Sequence, residues 1–136
     1  MAGLGLLALP LPLAGLGCGP QSGGGGIATP CGTQLCVDLT QSANAALQSV
    51  NGSVEIQAPS GDVIIVIRTS ATSVVALSAI CTHAGCVVGF DASRGLLPCP
   101  CHGSVFSESG NVVQGPASLP LRSYAATMSG NQVTIG

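Results

Sequence analysis

Two short stretches, CTHAGC (residues 81–86) and CPCHGS (99–104), hold both histidines of the 136-residue chain and four of its seven cysteines. A thiol beside an imidazole is one way to build a nucleophile and its base. The sequence offers no third group to orient such a pair, and no phosphate-binding loop. Two thiols and two imidazoles, arranged as Cys81-x-His83 and Cys99-x-x-His102, suit a metal. They could hold one tetrahedral Zn²⁺. They could equally hold a [2Fe–2S] cluster, with two thiolates on one iron and two imidazoles on the other. Zinc does not require the further cysteine that each stretch carries, Cys86 and Cys101.

The segments around these stretches read as short strands. LCVDLT (35–40), SVEIQA (53–58), DVIIVIRT (62–69), SVVALSAI (73–80), CVVGF (86–90), NVVQ (111–114), LRSYAATM (121–128) and QVTIG (132–136) are rich in β-branched and apolar residues. Turns fall at Asn51-Gly52, Ser60-Gly61, Ser109-Gly110 and Ser129-Gly130-Asn131. QSANAALQSV (41–50) is the one short helix expected. No repeat of 20–50 residues is visible. Many short strands at this spacing predict an all-β domain, a sandwich or barrel-like fold, over residues 31–136.

Composition sets further bounds. Three arginines, no lysine and five acids leave a net charge of −2, with no basic footprint for nucleic acid. Phe90, Phe106 and Tyr124 are the only aromatic residues, so the core must be built from Val, Ile and Leu. A small domain with so few large side chains is expected to need a metal or disulfide staple. Cys31 and Cys36, at the start of the domain, are expected to form a small disulfide in an exported protein.

The N-terminal segment is apolar and uncharged from Leu4 to Gly17 and ends at Cys18. It is short for a bilayer span and is interrupted by Pro10 and Pro12. Residues 1–18 read as a secretory signal in which Cys18 is the lipidation site of a bacterial lipoprotein. The absence of a basic residue and the presence of Gly15, where leucine is usual, depart from that pattern. An ordinary cleaved signal and a retained anchor stay open. Residues 19–30, GPQSGGGGIATP, read as a flexible linker with a reach of about 20 Å. The expected location is exported, on the periplasmic side, held at the membrane through Cys18.

CTHAGC followed by CPCHGS resembles the paired cluster loops of Rieske iron–sulfur proteins. Their spare cysteines resemble those of the disulfide-containing, high-potential branch found in cytochrome bc-type quinol oxidoreductases and arsenite oxidase small subunits. GPASLPL (115–121), with Pro116, is similar to the family's proline loop beside the cluster. The resemblance covers roughly residues 35–136. It implies an antiparallel β-sandwich of stacked sheets, with a small cluster-binding subdomain formed by two loops. It implies that Cys81 and Cys99 bind one iron and His83 and His102 the other, and that Cys86 and Cys101 form a disulfide. Gly103, Ser104 and Phe106 then surround the ligands, with Ser104 placed to donate to a cluster sulfur.

Three residues depart from the quinol-oxidising pattern: Ala84 stands where leucine is usual, Phe106 where tyrosine is common, and Ser107 where an acid is common. Ala84 weakens the expectation of docking at a quinone site, and Phe106 reads first as a core residue. The expected function is one-electron transfer through a [2Fe–2S] cluster, without substrate chemistry by the chain alone. Its partners are redox proteins, a cytochrome c or an oxidoreductase subunit, and the membrane. It acts either as a carrier or as a subunit of a quinol:cytochrome c or arsenite oxidase type of complex.

Overall fold

The computed structural model describes residues 25–136. The signal-like segment 1–18, its Cys18, and linker residues 19–24 lie outside the described residues. Eleven strands run in chain order: β1 Thr29–Cys31, β2 Gln34–Asp38, β3 Ser53–Gln57, β4 Val63–Arg68, β5 Val74–Ser78, β6 Leu96–Pro98, β7 Val105–Ser107, β8 Val112–Gln114, β9 Ser123–Tyr124, β10 Ala126–Ser129 and β11 Gln132–Ile135. All paired strands are antiparallel, in three sheets ordered β1-β2-β11-β10, β3-β4-β5-β9 and β6-β7-β8.

Strand β4 explains the layering. Its run VIIVIR buries Ile64, Ile65, Val66 and Ile67 without the apolar–polar alternation of a half-exposed strand. Successive side chains of a strand point to opposite faces, so both faces of β4 must be covered. Ile64 and Val66 pack with Val37, Val133 and Ile135 of the first sheet. Ile65 and Ile67 pack with Leu97, Phe106, Cys81 and Cys99 on the other side. The middle sheet therefore serves two cores, and the second of them supports the Cys/His loops.

The helix expected at 41–50 is a 3-10 helix, Ser42–Gln48. Three residues per turn place Asn44 and Leu47 on one face, and both are fully buried. Arg68 fastens this helix to the middle sheet by donating to the carbonyls of Leu47 and Gln48. CVVGF does not form a strand. Val87 bridges Ile80, while Val88 and Gly89 donate to Ala79 and Pro98, so this segment is divided between two neighbours. Strands β1, β6 and β7 were not expected. Each has three residues, too few to show a period.

Pairing with the body of the fold is seen from Gly25 onward, ahead of Cys31. Gly25 bridges Glu55, and the Gly26 N–H donates to the Glu55 carbonyl. Asn44 accepts the Ile27 N–H and donates to the carbonyls of Ile27 and Asp38. A Cβ on Gly26 would come within 2.9 Å of Asn44 Oδ1 and of Val54. This glycine is there for close packing, whereas composition had suggested flexibility. Tyr124 OH and Ser78 Oγ both donate to the Asp62 carboxylate, tying β9 and β5 to the start of β4.

Candidate metal centre

Both Cys/His loops are hairpin tips standing on the second core. The first leaves β5 through Ile80 and returns through Val87, which bridges Ile80. The second joins β6 to β7. The two close in the same way. The Cys81 N–H donates to the Cys86 carbonyl, and the Cys99 N–H to the Ser104 carbonyl, both at 2.7 Å. The Gly85 N–H donates back to Cys81, and the Gly103 N–H back to Cys99. The two glycines have φ of +71° and +78°, a left-handed conformation that costs other residues energy. Each loop thus needs glycine four residues after its first cysteine.

This frame sorts the donors by depth. Cys81 and Cys99 lie at the loop bases, 2 % and 3 % exposed, and belong to the same buried cluster. His83 and His102 lie at the exposed tips, with ring centroids 5.0 Å apart and planes nearly perpendicular. Among the described residues no three of these donors converge on a single point. They form two pairs, thiol with thiol and imidazole with imidazole. Soft thiolates and imidazoles are donors that iron–sulfur centres use, so the residues present fit such a group.

Burial pushes the Cys81 thiol up, because a thiolate is poorly solvated there. Hydrogen bonds from the His83 and Ala84 N–H groups and from the Cys99 and Ser104 side chains outweigh burial and hold it below its ordinary value. The thiolate is the form that binds metal. Ser104 is fully buried, and its Oγ accepts the Ala117 N–H at 3.0 Å. Its own proton is left to donate to the Cys81 sulfur.

Cys86 and Cys101 form a disulfide with Cα atoms 6.4 Å apart, which joins the two loops directly. Cys31 and Cys36 form a second disulfide, in the β1–β2 hairpin. Pro116 lies in the segment 115–120, which joins the loops at two points. Ala117 bonds to Ser104, and the Leu119 carbonyl accepts the Thr82 hydroxyl at 2.7 Å. Phe106 is fully buried beneath the loops with Leu97 and Val88, as expected of a core residue. Thr82 was not singled out in the sequence. Its place next to His83 is visible there, but its contact 37 residues away is not.

The Rieske [2Fe-2S] domain model matches residues 41–125. The chain belongs to the Rieske [2Fe–2S] family. It carries electrons through that cluster. Over 115 residues it is 37 % identical to the cytochrome b6-f complex iron–sulfur subunit of Synechococcus sp. (strain JA-3-3Ab), covering 84 % of this chain and 67 % of that protein. Over 125 residues it is 36 % identical to the chloroplastic iron–sulfur subunit 2 of the same complex in Nicotiana tabacum, covering 87 % of this chain and 55 % of that protein. The chain thus spans between about half and two thirds of these relatives' lengths. Among solved Rieske structures, the cyanobacterial plasma membrane protein PetC3 from Synechocystis PCC 6803 superposes with a TM-score of 0.61 at 30 % identity, covering 74 % of this chain and 98 % of that one. The ferredoxin of carbazole 1,9a-dioxygenase from Nocardioides aromaticivorans IC177 superposes at 0.54 with 26 % identity, covering 64 % and 86 %.

Proposed function

We propose that Cys81, Cys99, His83 and His102 hold the cluster, the thiolates on one iron and the imidazoles on the other. We further propose that the domain is the iron–sulfur subunit of a quinol-oxidising membrane complex. The ligand assignment rests on one observation above all: two thiols buried in the same cluster lie beneath two exposed, paired imidazoles, on loops joined by Cys86–Cys101. Imidazoles in place of two thiolates let such a cluster take up one electron at about −150 to +300 mV instead of about −400 mV.

The chain's own residues prepare this site. Val88, Leu97 and Phe106 exclude water from below the thiols. Ser104 and two backbone N–H groups direct positive dipoles at the Cys81 sulfur. The disulfide holds the loops together, and Gly103 lets the second one close. The exposed imidazoles put the route for the electron at the surface. Iron and acid-labile sulfide analysis, with electron paramagnetic resonance after reduction, tests the assignment. The expected result is two irons and two sulfides per chain. One zinc without sulfide would overturn it.

Assignment to a complex is supported by the relatives, which are named as cytochrome b6-f subunits. Membrane association is supported by them and by the likeness to a plasma membrane Rieske protein. Among the described residues no helix is long and apolar enough to cross a membrane. The proposed anchor is a lipid on Cys18 on the periplasmic side, and mass spectrometry of the mature N-terminus tests it. A second reading, a mobile carrier, is favoured by Ala84, whose small side chain sits at the exposed tip. Co-purification from native membranes with a b-type cytochrome supports the subunit, and recovery free of partners supports the carrier.

A further inference from the structure

The two disulfides occupy different settings. Cys86–Cys101 joins residues 15 apart, and Cys86 packs against the second core. Cys31–Cys36 joins residues only 5 apart in one hairpin. Both of these cysteines are partly exposed, and neither belongs to either core. Alternation along the strands explains their position. Leu35, Val37, Val133 and Ile135 turn toward the first core. Cys36 and its cross-strand neighbour Thr134 therefore lie on the outer face of the sheet, as do Cys31 and its neighbour Gln34. A polar hollow of about 440 Å³ opens on this face, lined by Thr29, Cys36, Asp38, Ser129, Asn131 and Gln132.

The two sulfurs are not equivalent. Among the described residues no strand pairs with the far side of β1, so Cys31 stands at the sheet edge and Cys36 one strand further in. On that inner side Gln132 Nε2 donates to Cys36 Sγ. A thiolate attacks one sulfur of a disulfide and expels the other as a thiolate. Approach from the edge strikes Cys31 and expels Cys36 toward Gln132, whose hydrogen bond strengthens as the sulfur gains charge. The Asp38 carboxylate on the same face opposes that charge, and the Thr40 N–H and hydroxyl already bind it. We propose that Cys31–Cys36 is a thiol–disulfide exchange site for a protein dithiol, which attacks at Cys31 and frees β1 from its cross-link while the cluster disulfide stays closed. The partner thiolate forms a mixed disulfide with Cys31, and Cys36 leaves and takes a proton from water in the hollow. The partner's second thiolate then attacks its own sulfur in the mixed disulfide, and Cys31 leaves and is protonated in turn. Two electrons and two protons pass to the chain, and the partner departs as a disulfide.

A thioredoxin whose resolving cysteine is replaced by serine stalls at the mixed disulfide and serves as the probe, with the full-length holoprotein as the target. Peptide mapping identifies the sulfur attacked, and iron and sulfide analysis reports the cluster separately. The expected adduct is on Cys31, with iron and sulfide unchanged. Q132A is expected to form it about fivefold more slowly. In a parallel titration with dithiothreitol, alkylation and peptide mapping score each cysteine, and Cys31 and Cys36 are expected to open before Cys86 and Cys101. Closing so short a loop restricts the open hairpin about fortyfold, so amide exchange at Thr29 and Cys31 should rise by about that factor on reduction. The wild-type measurements decide the matter even where Q132A fails to fold. Failure of the probe to form any adduct would overturn the proposal, as would an adduct on Cys36, Cys86 or Cys101 in place of Cys31. So would earlier opening of the cluster disulfide, an undiminished rate in folded Q132A, or amide exchange in β1 that reduction leaves unchanged.

Discussion

Replacing Ser104 with alanine removes one oxygen and two hydrogen bonds. The Ala117 N–H, on a residue 5 % exposed, loses its acceptor at 3.0 Å, and the Cys81 sulfur loses a donor. The two losses are read by different instruments. An orphaned buried N–H costs about 1–3 kcal/mol, so S104A should unfold at clearly lower denaturant concentration. The donor to sulfur acts on the potential. Its proton interacts more favourably with the reduced site, which carries one more negative charge. If that preference is about 1 kcal/mol, the potential falls by roughly 40 mV, since a tenfold change, about 1.4 kcal/mol, is 59 mV for one electron. Ser104→Thr keeps the hydroxyl and should restore most of the potential, even if its extra methyl group lowers stability. Protein-film voltammetry and urea unfolding of the three proteins give both numbers. A potential in S104A that matches the wild type, alongside the expected loss of stability, would show that the hydroxyl only braces segment 115–120 and does not act on the sulfur.

Cys86→Ser opens a cross-link between residues 15 apart, worth about 3 kcal/mol of loop restriction, and should speed iron and sulfide loss on dialysis, measured colorimetrically. Asn44→Ala orphans the Ile27 N–H and the carbonyls of Ile27 and Asp38. It should cost at least about 2 kcal/mol and speed amide exchange at residues 26–28; protection equal to wild type there would refute the strap. Tyr124 is held above its ordinary value first by burial, then by its hydrogen bond to Asp62 and the charge of that carboxylate. A raised native value favours the neutral phenol, so its contribution is complete below about pH 10 and is lost as pH rises further. Urea unfolding from pH 8 to 11 should show this alkaline loss, and Tyr124→Phe should flatten it.

The residues legible from sequence were those whose roles are local. Cys81, His83, Cys99 and His102 stand within two six-residue frames, and each frame closes on itself through a glycine at a fixed offset. Such loops can be read from spacing because their hydrogen bonds span only four or five residues. β2, β3, β4, β5, β8 and β11 were visible for a related reason: each lies in a stretch enriched in apolar and β-branched residues and bounded by turn residues, a signal carried by composition within a few positions.

What sequence could not supply lies in contacts between distant segments. The run VIIVIR looks the same whether one face or both are covered, and only the stacking of sheets on either side of β4 made it the middle layer. Gly26 looked like linker because composition does not distinguish a glycine that gives freedom from one that makes room, and Asn44, 18 positions on, decides between them. Ser104 was legible as a candidate donor, but the direction of its proton was not. That is set by Ala117, which uses the oxygen as an acceptor and leaves the hydrogen for Cys81. A hydroxyl rotates to suit its neighbours, and those neighbours come together only when the chain folds.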